Sequence, residues 1–117
     1  MCFRVQQNIT VSEAQSIVDE FISNTGGYWP PFEMLAAIFE EAGELSKMLQ
    51  LIEGSRAQKE RPNFEKLEEE VGDVFFALIC LANAYKISLA EALIKTVEKY
   101  KKRDFEKYEK YPSKSSP

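Results

Sequence analysis

Glu40-Glu41-Ala42-Gly43-Glu44 and, further along, Glu68-Glu69-Glu70-Val71-Gly72-Asp73 are the two stretches that decide how this 117-residue chain is read. Each sets two carboxylates three residues apart, Glu41 with Glu44 and Glu70 with Asp73. On an α-helix that spacing puts both side chains on one face, about a turn apart. Like charges so placed repel by about 0.2–0.5 kcal/mol per pair in an isolated helix. One such pair is ordinary. Two pairs, both running into apolar sequence, point to a positive charge held between them.

The apolar residues around the acids sharpen this. On the first stretch they read Leu35, Ile38, Phe39, Ala42, Leu45, Leu49 and Ile52, a stripe at about 100° per residue with Glu41 on its edge. On the second, Glu70 lies deeper, flanked by Leu67, Val74, Ala77 and Leu81, with Asp73 at the rim. A carboxylate aimed at a core must be protonated, paired or bound to metal. Few basic residues stand beside these acids in the sequence, so a bound cation is the simplest solution. The chain contains no histidine, which excludes histidine triads, His-ligated zinc and the Glu-x-x-His pairs of di-iron bundles. An oxygen-only set favours Mg²⁺, with Mn²⁺ as the other candidate.

Length and composition describe one globular domain, with residues 1–109 expected to fold and 110–117 to form a disordered tail. A net charge of −4 argues against general nucleic-acid binding, which leaves a basic footprint. No apolar run approaches a membrane span and the N-terminus does not resemble a secretory signal, so a cytoplasmic protein is expected. Cys2 and Cys80 form no metal or disulfide spacing, and Cys80 reads as a small buried residue.

The remaining sequence spells four helices and no strands, an all-α chain. Thr10-Val11-Ser12-Glu13 is a capping box opening a helix to about Ser23, which Asn24-Thr25-Gly26-Gly27 stops. Pro31 suits a first helical turn, and Gly54 caps the helix that follows. Asn63 is placed to cap a third helix running to about Tyr85, whose apolar second half should be the most buried element. Ser88-Leu89-Ala90-Glu91 opens a fourth, through about Tyr108. Between the first two lies Tyr28-Trp29-Pro30-Pro31-Phe32, which reads either as a hydrophobic staple or core plug, or as a platform for a planar base. The segment 55–62, with Arg56, Lys59 and Arg61, reads as a solvated loop or a phosphate-contacting lid.

Mg²⁺ takes a few carboxylates, retains waters and shares its shell with substrate phosphates. Basic groups are then needed across the phosphates to meet charge building on the leaving group. Lys99 and Arg103, one turn apart on the fourth helix, have suitable spacing; they also fit a solvated helix end that complements the dipole.

With these residues in view, Glu41-x-x-Glu44 followed by Glu70-x-x-Asp73 resembles the E-x-x-E…E-x-x-D pattern of MazG-type nucleoside triphosphate pyrophosphohydrolases, of the all-α NTP pyrophosphatase superfamily. The likeness covers Phe39-Glu40-Glu41-Ala42-Gly43-Glu44-Leu45, Glu69-Glu70-Val71-Gly72-Asp73-Val74, Leu81-Ala82-Asn83 and Ile87-Ser88-Leu89, and spans roughly residues 10–105. It implies Mg²⁺-dependent cleavage of NTP or dNTP between the α- and β-phosphates, giving monophosphate and pyrophosphate, as nucleotide-pool house-cleaning. By the same likeness Glu41, Glu44, Glu70 and Asp73 are metal ligands, and Glu40 beside Glu41 orients or deprotonates the attacking water. Asn83, Lys99 and Arg103 correspond to substrate contacts, and Trp29 and Phe32 to the base-side loop. Thr96 and Lys102 depart from the polar Asn/Arg positions of that pattern. A four-helix bundle completed by oligomerisation is expected, as a homodimer or homotetramer with sites at or near subunit contacts. The alternatives are a non-catalytic nucleotide- or metal-binding regulator and a helical interaction module with solvated acids.

Overall fold

The computed structural model describes residues 8–54 and 63–110, with side chains described to residue 105. Residues 1–7, the 55–62 loop or lid and the expected tail from residue 111 lie outside the described residues, as does Cys2. The described residues form four helices: α1 (Val11–Ser23), α2 (Pro31–Glu53), α3 (Phe64–Ala84) and α4 (Leu89–Lys110). The chain is all-α.

Local chemistry sets their ends. The Glu13 N–H donates to Thr10 Oγ1 at 3.0 Å while the Thr10 N–H donates to Glu13 Oε1 at 2.7 Å, the reciprocal pair of a capping box. Beyond α1 the chain turns through Gly26 and Gly27, at φ +111° and +90°, a region closed to most side chains. Pro31 begins α2, where its missing N–H is no loss, and Gly54 ends it in the left-handed conformation. Asn63 Oδ1 accepts from the Lys66 N–H at 2.6 Å and starts α3. Ser88 Oγ accepts from the Glu91 N–H at the start of α4.

Packing is uneven. α2 and α3 form the principal pair, α1 lies across α3, and α4 rests on α1. α4 leaves α3 at 105°, so only its first turn, through Leu89, reaches the core of Val18, Met34, Ile79 and Cys80. The expected burial of the second half of α3 holds on one side. Ala77, Ile79, Cys80 and Ala82 are buried, but Phe75, Phe76 and Leu78 remain exposed, because α1 and α2 cover only part of a helix that is apolar all round.

The sequence stripe assigned to α2 also needs correction. Its buried residues are Met34, Met48 and Leu51, with Ile38, Glu41 and Leu45 half-buried between them. Leu35, Phe39 and Leu49, expected to face inward, are exposed. The helix is rotated so that Glu41 stands within the packed face and not on its edge.

Candidate functional site

The rotation of α2 brings Glu41 against the α3 acids. Glu41, Glu70 and Asp73 each offer a carboxylate oxygen, and these three atoms lie within 4.8 Å of one another. Glu70 is buried at 5% exposure and the other two are half-buried. At an effective dielectric of about 20, two like charges at that separation repel by about 3 kcal/mol. Lys66 Nζ, 3.5 Å from Glu70 Oε2 and 3.5 Å from Glu69 Oε2, is the cation that the described structure sets against this cluster. It is one positive charge against three negative ones. Burial raises the Glu41 carboxyl above the usual range, and the charges of Asp73, Glu70, Glu40 and Glu44 raise it further. Three convergent oxygens, no nitrogen or sulfur donor and an excess of negative charge fit a hard divalent cation.

The four acids do not all converge. Glu44 is exposed one turn along α2 and pairs with Lys47 at 3.7 Å, outside the three-carboxylate group. Glu40 is exposed next to Glu41 and acts on the cluster through its charge.

Beside Glu41 and Asp73 opens a cavity of about 370 Å³, walled by Phe21, Tyr28, Trp29, Met34, Phe76 and Cys80. Trp29 therefore belongs to this wall, whereas Phe32 is strongly exposed and does not line it. The core-plug reading of the aromatic stretch fails for Trp29 and Phe32, since neither is buried. Phe21, Phe76 and Cys80 were missed as site residues. Their signal was their position on the α1 and α3 faces that meet above Asp73, which only packing reveals. Burial pushes the Cys80 thiol up, so it is a wall atom and not a thiolate.

Asn83 is engaged within the chain. Its Nδ2 donates to Gln15 O and to Tyr28 Oη, both at 3.0 Å, and its Oδ1 accepts from Gln15 Nε2 at 2.8 Å. Lys99 and Arg103 lie over the ring of Tyr100, with Nζ 5.0 Å and Cζ 4.6 Å from its centroid, and Arg103 also pairs with Asp104. They belong to a helix that packs on α1, and the described structure does not join them to the acids.

Tyr28 Oη donates to Asp19 Oδ1 at 2.6 Å. Burial first, and then this bond, push the phenol from 10.0 to about 12, while the Asn83 bond pulls it down. A folded-state value above the unfolded one means that the neutral phenol stabilises the fold. That contribution is complete below pH 10 and is lost as the pH rises towards about 12. In an absorbance titration of the five tyrosines, the last phenolate step is expected to vanish in Tyr28→Phe. A last step retained in that variant would show that another tyrosine is the one held up.

Known proteins share this chain's sequence and fold. Residues 30–106 match the MazG nucleotide pyrophosphohydrolase domain, a span that contains all three clustered acids. The chain is 37% identical over 100 residues to the uncharacterized protein YpjD of Bacillus subtilis (strain 168), covering 85% of this chain and 90% of that one. It is 29% identical over 100 residues to the uncharacterized protein YvdC of the same organism, covering 80% and 94%. A crystal structure of Bacillus subtilis YpjD superposes with a TM-score of 0.75 at 36% identity, covering 81% of this chain and 98% of that one. The Bacillus-conserved MazG protein, a nucleotide pyrophosphohydrolase, superposes with a TM-score of 0.70 at 32% identity, covering 81% and 93%. Sequence, fold and acid cluster together place this chain in the MazG nucleotide pyrophosphohydrolase family, as a pyrophosphatase-type hydrolase.

Proposed function

We propose that the protein hydrolyses nucleoside triphosphates, NTP or dNTP, to the monophosphate and pyrophosphate with Mg²⁺ as cofactor, clearing the cytoplasmic nucleotide pool. The observation that carries this is the convergence of Glu41, Glu70 and Asp73 at the edge of an aromatic cavity. Those three residues would hold the cation, with Glu44 one turn away as a fourth carboxylate. When bound, the divalent ion supplies positive charge to phosphate oxygens and lowers the pKa of water.

The chain's own residues do the rest. A base entering the cavity stacks against Trp29 and is walled by Phe21 and Phe76, which directs the phosphates towards the acids. Glu40, exposed beside the cluster, is the carboxylate assigned to take the proton of the attacking water. Burial and the neighbouring carboxylates, Asp73 and Glu70 foremost, raise the Glu41 carboxyl, the direction that a bound cation would reverse. Basic groups for the leaving pyrophosphate are supplied by Lys99 and Arg103 of a second copy, in a homodimer or homotetramer. This reading is supported by the outward placement of Leu35, Phe39 and Leu49 on α2 and of Leu93, Ile94 and Val97 on α4.

The test is pyrophosphate release from a panel of ribo- and deoxynucleoside triphosphates, with and without Mg²⁺. Metal-dependent release that disappears in Asp73→Asn is the expected result. If no triphosphate turns over while Mg²⁺ still binds, the protein is a regulator and the proposal is wrong.

A further inference from the structure

The hydrogen bonds of Asn83 lead away from the acids. Both hydrogens of its amide group are donated, to Gln15 O and Tyr28 Oη, and its oxygen accepts from Gln15 Nε2. No amide proton remains for a substrate. The chain of bonds continues at both ends. Tyr28 Oη donates to Asp19, and Gln15 Nε2 also donates to Ile87 O at 2.8 Å, while Gln15 Oε1 accepts the Leu89 N–H at 2.9 Å. One run of side chains therefore ties α1, the end of α3 and the first turn of α4 to Tyr28.

Tyr28 is the residue that matters for the cavity. It is in the wall, and it immediately precedes Trp29 and the two prolines that open α2. The turn before it contains Gly26 and Gly27 at positive φ, conformations with little steric resistance to rearrangement. Trp29 itself is 64% exposed, so packing alone does not hold it. From the α3 side this segment is held by the packing of Tyr28 on the core that includes Ile79 and Cys80, and by the directional bond from Asn83.

We propose that Asn83 is a positioning residue: through Tyr28 it holds the Trp29 segment at the edge of the cavity, and so sets affinity for the nucleotide base without touching it. The assignment rests on the pyrophosphohydrolase reading for its kinetic consequence but not for its structural one. Loss of Asn83 lets the segment drift, weakening binding in ground state and transition state alike, and leaves the acids on α2 and α3 in place. Such a change raises KM and spares kcat.

The experiment compares wild type, Asn83→Ala, Tyr28→Phe and the double variant. Tyr28→Phe keeps the ring in the wall and removes only the hydroxyl, which guards against a folding defect in Asn83→Ala. KM for the best triphosphate is expected to rise roughly tenfold in each, with kcat within about twofold of wild type. The double variant should fall short of the product of the two single effects, because both changes break the Asn83–Tyr28 bond, while Tyr28→Phe also removes the bond to Asp19. Trp29 is the only tryptophan, so its emission should shift in each single variant before nucleotide is added. Multiplying effects, or a fall in kcat at unchanged KM, would mean that Asn83 acts on substrate or on the acids, and would overturn the proposal. If the wild type turns over no triphosphate, the activity reading fails, and Trp29 emission then decides the positioning role: a shift supports it and unchanged emission rejects it.

Discussion

Glu70→Gln is expected to reduce pyrophosphate release by about a thousandfold, because the cation that Glu70 would hold is what meets the transition-state charge. Glu70 is the most buried of the clustered acids, and the substitution keeps its shape while removing its charge. Two consequences should appear together. A melting curve with and without Mg²⁺ should lose its metal-dependent rise, since ligand binding to the native state alone is what produces it. In the absence of metal, the variant should be as stable as wild type or more so. Relief of repulsion from Glu41 and Asp73, about 3 kcal/mol per pair at an effective dielectric of about 20, offsets the lost ion pair with Lys66. Undiminished turnover in this variant would remove the three-carboxylate site from the reaction.

The second large effect concerns the exposed faces. The protein is expected to sediment as a dimer or tetramer, and Leu93→Glu/Ile94→Glu to sediment as a monomer. Leu93 is 54% exposed and Ile94 60% exposed on α4, a helix that a single chain leaves largely uncovered. Full burial of each aliphatic side chain stabilises an interface by about 1.5–3 kcal/mol. Losing two per subunit therefore raises the dissociation constant by about a thousandfold or more. Light scattering on the eluting peak reads this directly. A wild type that remains monomeric at tens of micromolar would show that these faces have another partner, and that Lys99 and Arg103 do not reach the acids of a second copy.

Helix positions were open to sequence reading because their causes are local. The Thr10–Glu13 box, Pro31, the Gly54 cap and Asn63 act within one turn of the backbone they terminate, and each stands where the sequence places it. The acids were legible for the same reason, since spacing along one helix decides which residues share a face. Fold class and family followed from those features. Tertiary packing decided what lay between the helices. α2 carries two apolar faces that satisfy the helical period equally, and only contact with α3 selects Met34, Met48 and Leu51, which turns Glu41 inward and leaves Phe39 out. Contacts between helices likewise chose three of the four acids for the cluster and left Glu44 to an i,i+3 pair with Lys47 on its own helix. Asn83 meets Gln15 across 68 residues, and α4, departing from α3 at 105°, does not join Lys99 and Arg103 to the clustered acids. Neither follows from residue type, because a side chain's partner across the fold depends on where the backbone brings the other helix, not on the period of its own.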